Sequence, residues 1–146
     1  LAEGTGAPVY MAEVERALLE SPGGFVPAGI RVRPWSPDVT LAGGEQLELA
    51  GIAFEVVSVP GHSPAHLAYH ADGALLSGDV LFAGSVGRTD LPGASWETLE
   101  ASIATLVERF PAETVVYPGH GPTTTLGAEL ATNPFLGEIR AAVRGA

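Results

Sequence analysis

Two hydrophobic periods divide the chain. From Gln46 to Val59 apolar and polar residues alternate: Gln46-Leu47-Glu48-Leu49, an Ala50-Gly51 turn, then Ile52 to Val59. Phe54, Val56 and Ser58 fall on one side, and Glu55, Val57 and Val59 on the other. A period of two is that of a strand, and a run apolar on both sides suits a strand buried within a sheet. Alternation resumes after Pro64, with His66, Ala68 and His70 on one face and Leu67 and Tyr69 on the other. Asp72-Gly73 follows. Both residues tolerate positive φ, so a tight hairpin is predicted to return the chain through Ala74–Gly78. Thr114–Tyr117 is a further β-branched run.

The helical period appears at Trp96, Leu99, Ile103, Leu106, Val107 and Phe110, an apolar stripe with no chemistry in it. Ser95 is a suitable N-cap, Glu97 suits the first turn, and Pro111 stops the helix. Shorter helices are predicted over Met11–Glu20, with Val14, Leu18 and Ala17 inward, and from a Thr123-Thr124-Thr125 cap to Ala131. A terminal helix is predicted from Pro134, with Phe135, Ile139 and Val143 on one face. Phe25 to Asp38 reads as a loop with a short strand at Ile30–Val32 and Trp35 as a packing anchor. Val80 to Ala94 reads as a Gly-containing loop. With no repeat, low-complexity tract or linker, residues 1–146 are read as one domain of the α/β (α+β) class.

Composition narrows the partners. At 146 residues and 46% apolar content the chain can bury a core. A net charge of −10, with every cation an Arg, argues against nucleic acid and against an anionic membrane. There is no cysteine, hence no disulfide and no thiolate metal site. No apolar run approaches the roughly 18 residues of a bilayer span, and the lack of cysteine is compatible with a reducing compartment; the expected localisation is cytoplasmic.

The chemistry-bearing stretch is the sequence from Pro60-Gly61-His62 to Asp79, answered by Pro118-Gly119-His120. In both places an apolar run stops at Pro-Gly and a histidine follows. A side chain presented at a strand end is held on a rigid element, as a metal ligand must be. The predicted hairpin brings the end of one strand, near His62, close to the end of another, at Asp79. Two imidazoles and a carboxylate form a mixed N/O set suited to zinc or iron. His66 is read as a half-buried hydrogen-bonding residue and His70 as a solvent-facing one, although their alternate spacing is also compatible with a metal site. Arg88 and Asp90 are read as a local ion pair or as backbone hydrogen-bonding residues that hold the loop's shape or, for Arg88, as a substrate contact.

Pro-Gly-His-Ser-Pro (60–64), Ser-Gly-Asp (77–79), Leu-Phe-Ala-Gly-Ser-Val-Gly-Arg-Thr-Asp-Leu-Pro-Gly (81–93), Pro-Gly-His-Gly-Pro (118–122) and Thr-Asn-Pro-Phe-Leu (132–136), in this order, resemble the metallo-β-lactamase superfamily and, within it, glyoxalase II-like hydrolases. The resemblance implies a four-layer αβ/βα sandwich, incomplete at the N-terminus, with metals at one edge. It implies that His62 binds the first metal, that Asp79 bridges two, and that His120 binds the second. Zinc, or iron or manganese, is the implied cofactor: two ions in the intact protein, one or none in this chain. A metal-bound hydroxide is the implied nucleophile, with no protein side chain in that role, and the implied substrate is a small-molecule thioester or ester of the hydroxyacylglutathione type. The family's upstream His-x-His-x-Asp-His motif is absent, the four histidines being 62, 66, 70 and 120. The chain is therefore expected to be the C-terminal part of a longer protein, with a homo-oligomer or a companion N-terminal segment as its partner. A mononuclear iron persulfide dioxygenase, whose motif also includes Gly-Arg-Thr-Asp, and a non-catalytic truncated fragment are the alternatives.

Overall fold

A computed structural model of the chain describes residues 2–24, 26 and 29–145. They fall into two compact units, Leu1–Ala42 and Gly43–Ala146.

The first unit holds a short helix α1 (Ala2–Thr5), strand β1 (Tyr10–Ala12), helix α2 (Arg16–Glu20) and strand β2 (Val39–Leu41). β1 pairs in parallel with β2, Met11 lying opposite Thr40. The helix expected from Met11 is thus shorter than predicted. Strand pairing claims the backbone of residues 10–12, Glu13–Glu15 make one 3-10 turn, and Val14 is 74% exposed rather than inward. What remains helical is tied by an Arg16–Glu20 ion pair at 2.8 Å, the i,i+4 spacing that brings side chains together. No strand forms at Ile30–Val32, and Ile30 and Val32 are exposed. Pro34, just beyond, lacks the N–H that a strand ladder would use. Trp35 is half-buried, its backbone N–H donating to the Leu19 carbonyl at 3.0 Å. Phe25, Pro27 and Ala28, in the predicted loop, lie outside the described residues.

The second unit carries the alternating strands as expected. β3 (Gln46–Leu49), β4 (Ile52–Ser58), β5 (Leu67–Ala71) and β6 (Ala74–Gly78) form antiparallel neighbours. The Asp72-Gly73 turn has φ of 48° and 76°, the paired left-handed conformation that matches strand twist in two-residue hairpins. Then come β7 (Leu81–Phe82), β8 (Ser85–Val86), α3 (Trp96–Arg109), β9 (Val115–Pro118), β10 (Thr124–Thr125), α4 (Leu126–Thr132), a 3-10 turn Pro134–Leu136 and α5 (Gly137–Gly145). Six strands make one sheet in the order β10-β9-β6-β5-β4-β3, while β7 and β8 pair as a separate hairpin inside the stretch expected to be loop.

Both long caps form as the sequence suggests. The Thr98 N–H donates to Ser95 Oγ, and the Ala128 N–H to Thr125 Oγ1. Leu99, Ile103 and Leu106 are fully buried and join Val57, Ala68, Leu75, Val116, Leu126, Leu136 and Ile139 in one core. Trp96 departs from the stripe: it is 40% exposed and tilts against Phe135. At the C-terminus the inward residues are Leu136 and Ile139, and Phe135 and Val143 are exposed. The 3-10 turn at Pro134 changes the angular spacing before α5 begins, which shifts the buried face by one residue.

Topology places the site. β4 and β6 each run antiparallel to β5, so they share a direction, and β9 runs parallel to β6. The carboxyl ends of β4, β6 and β9 therefore emerge along one edge of the sheet. Among the described residues, no helix is long and apolar enough to cross a membrane.

Candidate metal centre

Each of the three predicted ligands follows one of those strand ends. β4 runs out through Val59 and a Pro-Gly turn to His62. β6 ends at Gly78, and Asp79 is next. Pro118 sits opposite Gly78, two residues before His120. The loop bearing His62 is fastened to α3: Ser102 Oγ donates to the Pro60 carbonyl at 2.7 Å, and the Ser95 N–H to the Gly61 carbonyl at 2.8 Å.

The side chains converge on one atom. His62 Nε2 and His120 Nε2 each lie 3.8 Å from Asp79 Oδ2. His62 Nδ1 lies 3.0 Å from the Arg88 carbonyl. A carbonyl can only accept, so Nδ1 carries the proton, and in neutral His62 the Nε2 lone pair faces the carboxylate. Acceptor opposed to acceptor is balanced by a cation set between them or by a proton on the imidazole. Holding a ligand histidine by its other ring nitrogen is the usual way to orient it toward a metal.

Asp79 is hemmed by glycines. A Cβ on Gly119 would overlap Asp79 Oδ1, and one on Gly87 would overlap the Asp79 carbonyl oxygen. Only residues without a side chain let the backbone approach so closely. The ends of two strands can then crowd around the carboxylate.

Donor chemistry and placement fit a divalent ion, but the spacing is wide. Zinc with N and O ligands at roughly 2.0–2.1 Å in tetrahedral geometry sets its donors about 3.4 Å apart. The observed 3.8 Å pairs must draw in by a few tenths of an ångström. Consistent with that width, no group of three or more His, Asp or Glu side chains among the described residues stands ready-closed around a metal position.

A cleft of about 360 Å³ opens over the three residues, bordered also by Phe82, Ser85 and Arg88. Phe82 stacks on the His120 ring, with centroids 4.5 Å apart. Arg88 lies at the cleft but forks onto Asp90, Nε to Oδ1 at 2.6 Å and Nη2 to Oδ2 at 2.7 Å. That bidentate bond holds the Asp90 carboxyl at about 2, below its ordinary value.

The other histidines stand apart from the convergence. His66 donates from Nε2 to the Ser77 carbonyl at 3.1 Å, the hydrogen-bonding role expected of it. His70 is half-buried rather than solvent-facing. Its ring stacks on Phe110 at 4.2 Å, because β5 turns that face toward the end of α3. Phe82, Gly87, Gly119 and Asn133 were given no individual role from sequence, and Glu129 was not picked out at all. The first four lie inside the quoted 81–93, 118–122 and 132–136 stretches, but no periodicity marks a residue that acts by long-range contact.

Three comparisons bear on this arrangement. A family model described as the metallo-beta-lactamase superfamily matches residues 1–120. Hydroxyacylglutathione hydrolase GloC of Haemophilus influenzae is 43% identical over 95 residues, 64% of this chain and 45% of that protein. Probable metallo-hydrolase YqgX of Bacillus subtilis is 38% identical over 134 residues, 88% of this chain and 64% of that one. The crystal structure of TTHA1623 in a di-iron-bound form superposes with a TM-score of 0.81 at 44% identity, over 92% of this chain and 68% of that one. The chain spans 45–65% of the length of the curated relatives it matches.

Proposed function

As the chain belongs to the metallo-β-lactamase superfamily and has its fold, we propose that the intact protein is a metal-dependent hydrolase of small thioesters of the hydroxyacylglutathione type. The observation that carries the reading is the convergence of His62 and His120 on one Asp79 oxygen at the open edge of the sheet. His62, Asp79 and His120 would hold the metal. A divalent cation bound there supplies acidification of water and polarisation of a scissile carbonyl.

The chain's own residues supply orientation and charge. The Arg88 carbonyl fixes the His62 tautomer so that Nε2 faces the site. Asp79, with acceptors on both oxygens, offsets cationic charge and suits a bridging position. Gly119 leaves the space that carboxylate occupies, and Gly87 leaves the space of the Asp79 carbonyl. Arg88 is the proposed anchor for an anionic end of the substrate, exchanging Asp90 for a carboxylate through the same fork. The likeness to a hydroxyacylglutathione hydrolase over part of its length supports the thioester assignment.

The test is hydrolysis of an acyl-glutathione by the purified intact protein, followed as free thiol released, beside metal analysis. Hydrolysis that stops on chelation and returns with zinc, manganese or iron supports the reading. Hydrolysis that survives complete metal removal refutes it. A second reading has its own support: the His120 side chain is 74% exposed, and a mononuclear iron persulfide dioxygenase does not require it as a ligand. One iron per chain with oxygen consumption on a persulfide substrate would select that alternative.

A further inference from the structure

Helix α4 and the residue after it carry a buried polar pair that the metal reading leaves unused. Glu129 is 3% exposed and Asn133 is fully buried. They stand four apart, and Asn133 Nδ2 donates to Glu129 Oε2 at 2.7 Å. Both also reach the β7–β8 hairpin. The Gly84 N–H, at its tip, donates to Glu129 Oε2 at 2.8 Å. Asn133 Nδ2 donates to the Ser85 carbonyl at 3.0 Å and lies 3.5 Å from that of Phe82. Thr124 Oγ1 completes the carboxylate's bonding on Oε1 at 2.6 Å.

A buried carboxylate is costly unless its oxygens are bonded, and a buried polar pair alone adds little stability over an apolar one. Here the bonds go to the backbone of a four-residue turn flanking the cleft. Two-residue strands cannot hold their own orientation by ladder bonds alone. The dyad supplies what the ladder lacks. The hairpin in turn presents Phe82, whose ring lies against His120 at an interplanar angle of 26°. His120 is the most exposed of the three proposed ligands, and the stacked Phe82 ring is a contact that bears on the orientation of its imidazole.

We infer that Glu129 and Asn133 are positioning residues that set the β7–β8 hairpin and, through Phe82, the plane of the His120 imidazole. The consequence for metal affinity rests on the proposed function; the consequence for the ring does not.

Three measurements on the intact protein separate these. In the unmodified, metal-free protein the Gly84 amide is expected to exchange at least 100-fold more slowly than an unstructured amide. Exchange at the unstructured rate overturns the first link. By NMR, the His120 ring protons of metal-free protein are expected upfield. Phe82→Leu and Glu129→Gln are expected to lose that shift, and Phe82→Tyr to keep it. Should Glu129→Gln not fold, Gly84 exchange and the Phe82 pair decide the matter. Unmoved His120 protons in a folded Glu129→Gln or Phe82→Leu variant overturn the inference. By chelator competition, Phe82→Leu is expected to weaken zinc binding about 10-fold, the lower range for outer partners of metal ligands, with Phe82→Tyr near the unmodified value. If His120→Ala leaves zinc affinity unchanged, the metal assignment of His120 fails while the ring measurements still stand or fall alone.

Discussion

Gly119→Ala is a sharp test of the site because it adds one methyl group where it meets a proposed ligand. The Cβ would overlap Asp79 Oδ1. Gly119 is not among the glycines with positive φ, so alanine costs its backbone no left-handed strain. The overlap is relieved only by movement. Non-bonded atoms settle at roughly 3.5–4.0 Å, so the carboxylate and the new methyl must separate by about 1 Å. Metal–ligand distances tolerate only about ±0.2 Å. Displacing the shared carboxylate should therefore weaken zinc binding at least as much as loss of an outer-shell partner, about 10–100-fold or roughly 1.4–2.8 kcal/mol. The assay is chelator competition on folded protein, with urea unfolding of the metal-free form alongside. Gly73→Ala is the control. Its φ of 76° makes alanine strained, but no atom lies within 4 Å of the added Cβ. It should lose about 1–2 kcal/mol of stability and leave zinc affinity unchanged. If Gly119→Ala binds zinc as tightly as the unmodified protein, either Asp79 is not a ligand or its position does not matter, and the proposed centre fails.

Other outcomes follow from the same structure. His120→Ala in the intact protein should remove one metal equivalent per chain, measured by elemental analysis; an unchanged count argues against a two-metal centre. Ile103→Ala, at a fully buried position facing the sheet, should destabilise the metal-free protein by about 2–5 kcal/mol in urea, and a loss under 1 kcal/mol would show that α3 does not anchor the core. The Asp90 carboxyl is lowered from 3.8 to about 2 by its bond to Arg88. A lowered carboxyl pKa means that the pair's contribution is fully present above the ordinary value and disappears as pH falls through about 2. An NMR titration should find the Asp90 midpoint near 2 and, in Arg88→Gln, back toward the ordinary value; coincident midpoints would refute the fork.

Much of the second unit was legible because its signals are local. Alternation at residues 46–59 and 67–78, the Asp72-Gly73 turn, and the Ser95 and Thr125 caps depend on neighbours in sequence, and each formed where the pattern placed it. His62, Asp79 and His120 could be picked out for the same reason: each follows a strand stopped by Gly or Pro-Gly. Where local preference competed with pairing, pairing prevailed. Met11 entered a strand because Thr40 was available as its partner, and the hairpin at 81–86 was missed because two-residue strands leave almost no periodic trace.

The sequence by itself determined the longer strands and helices of the second unit and which three side chains stand at strand ends, since steric turn chemistry and hydrophobic period act within a few residues. The Arg88–Asp90 ion pair, two residues apart, was an expectation of the sequence; only the tertiary structure decided that His62 and His120 point at one Asp79 oxygen, that the Arg88 carbonyl meets His62, and that Glu129 and Asn133 reach 45 to 51 residues back to the turn beside Phe82. Those contacts join elements distant in the chain, through the parallel pairing of β6 with β9 and the packing of α4 on the β7–β8 hairpin, a global free-energy balance that no window of neighbouring residues contains.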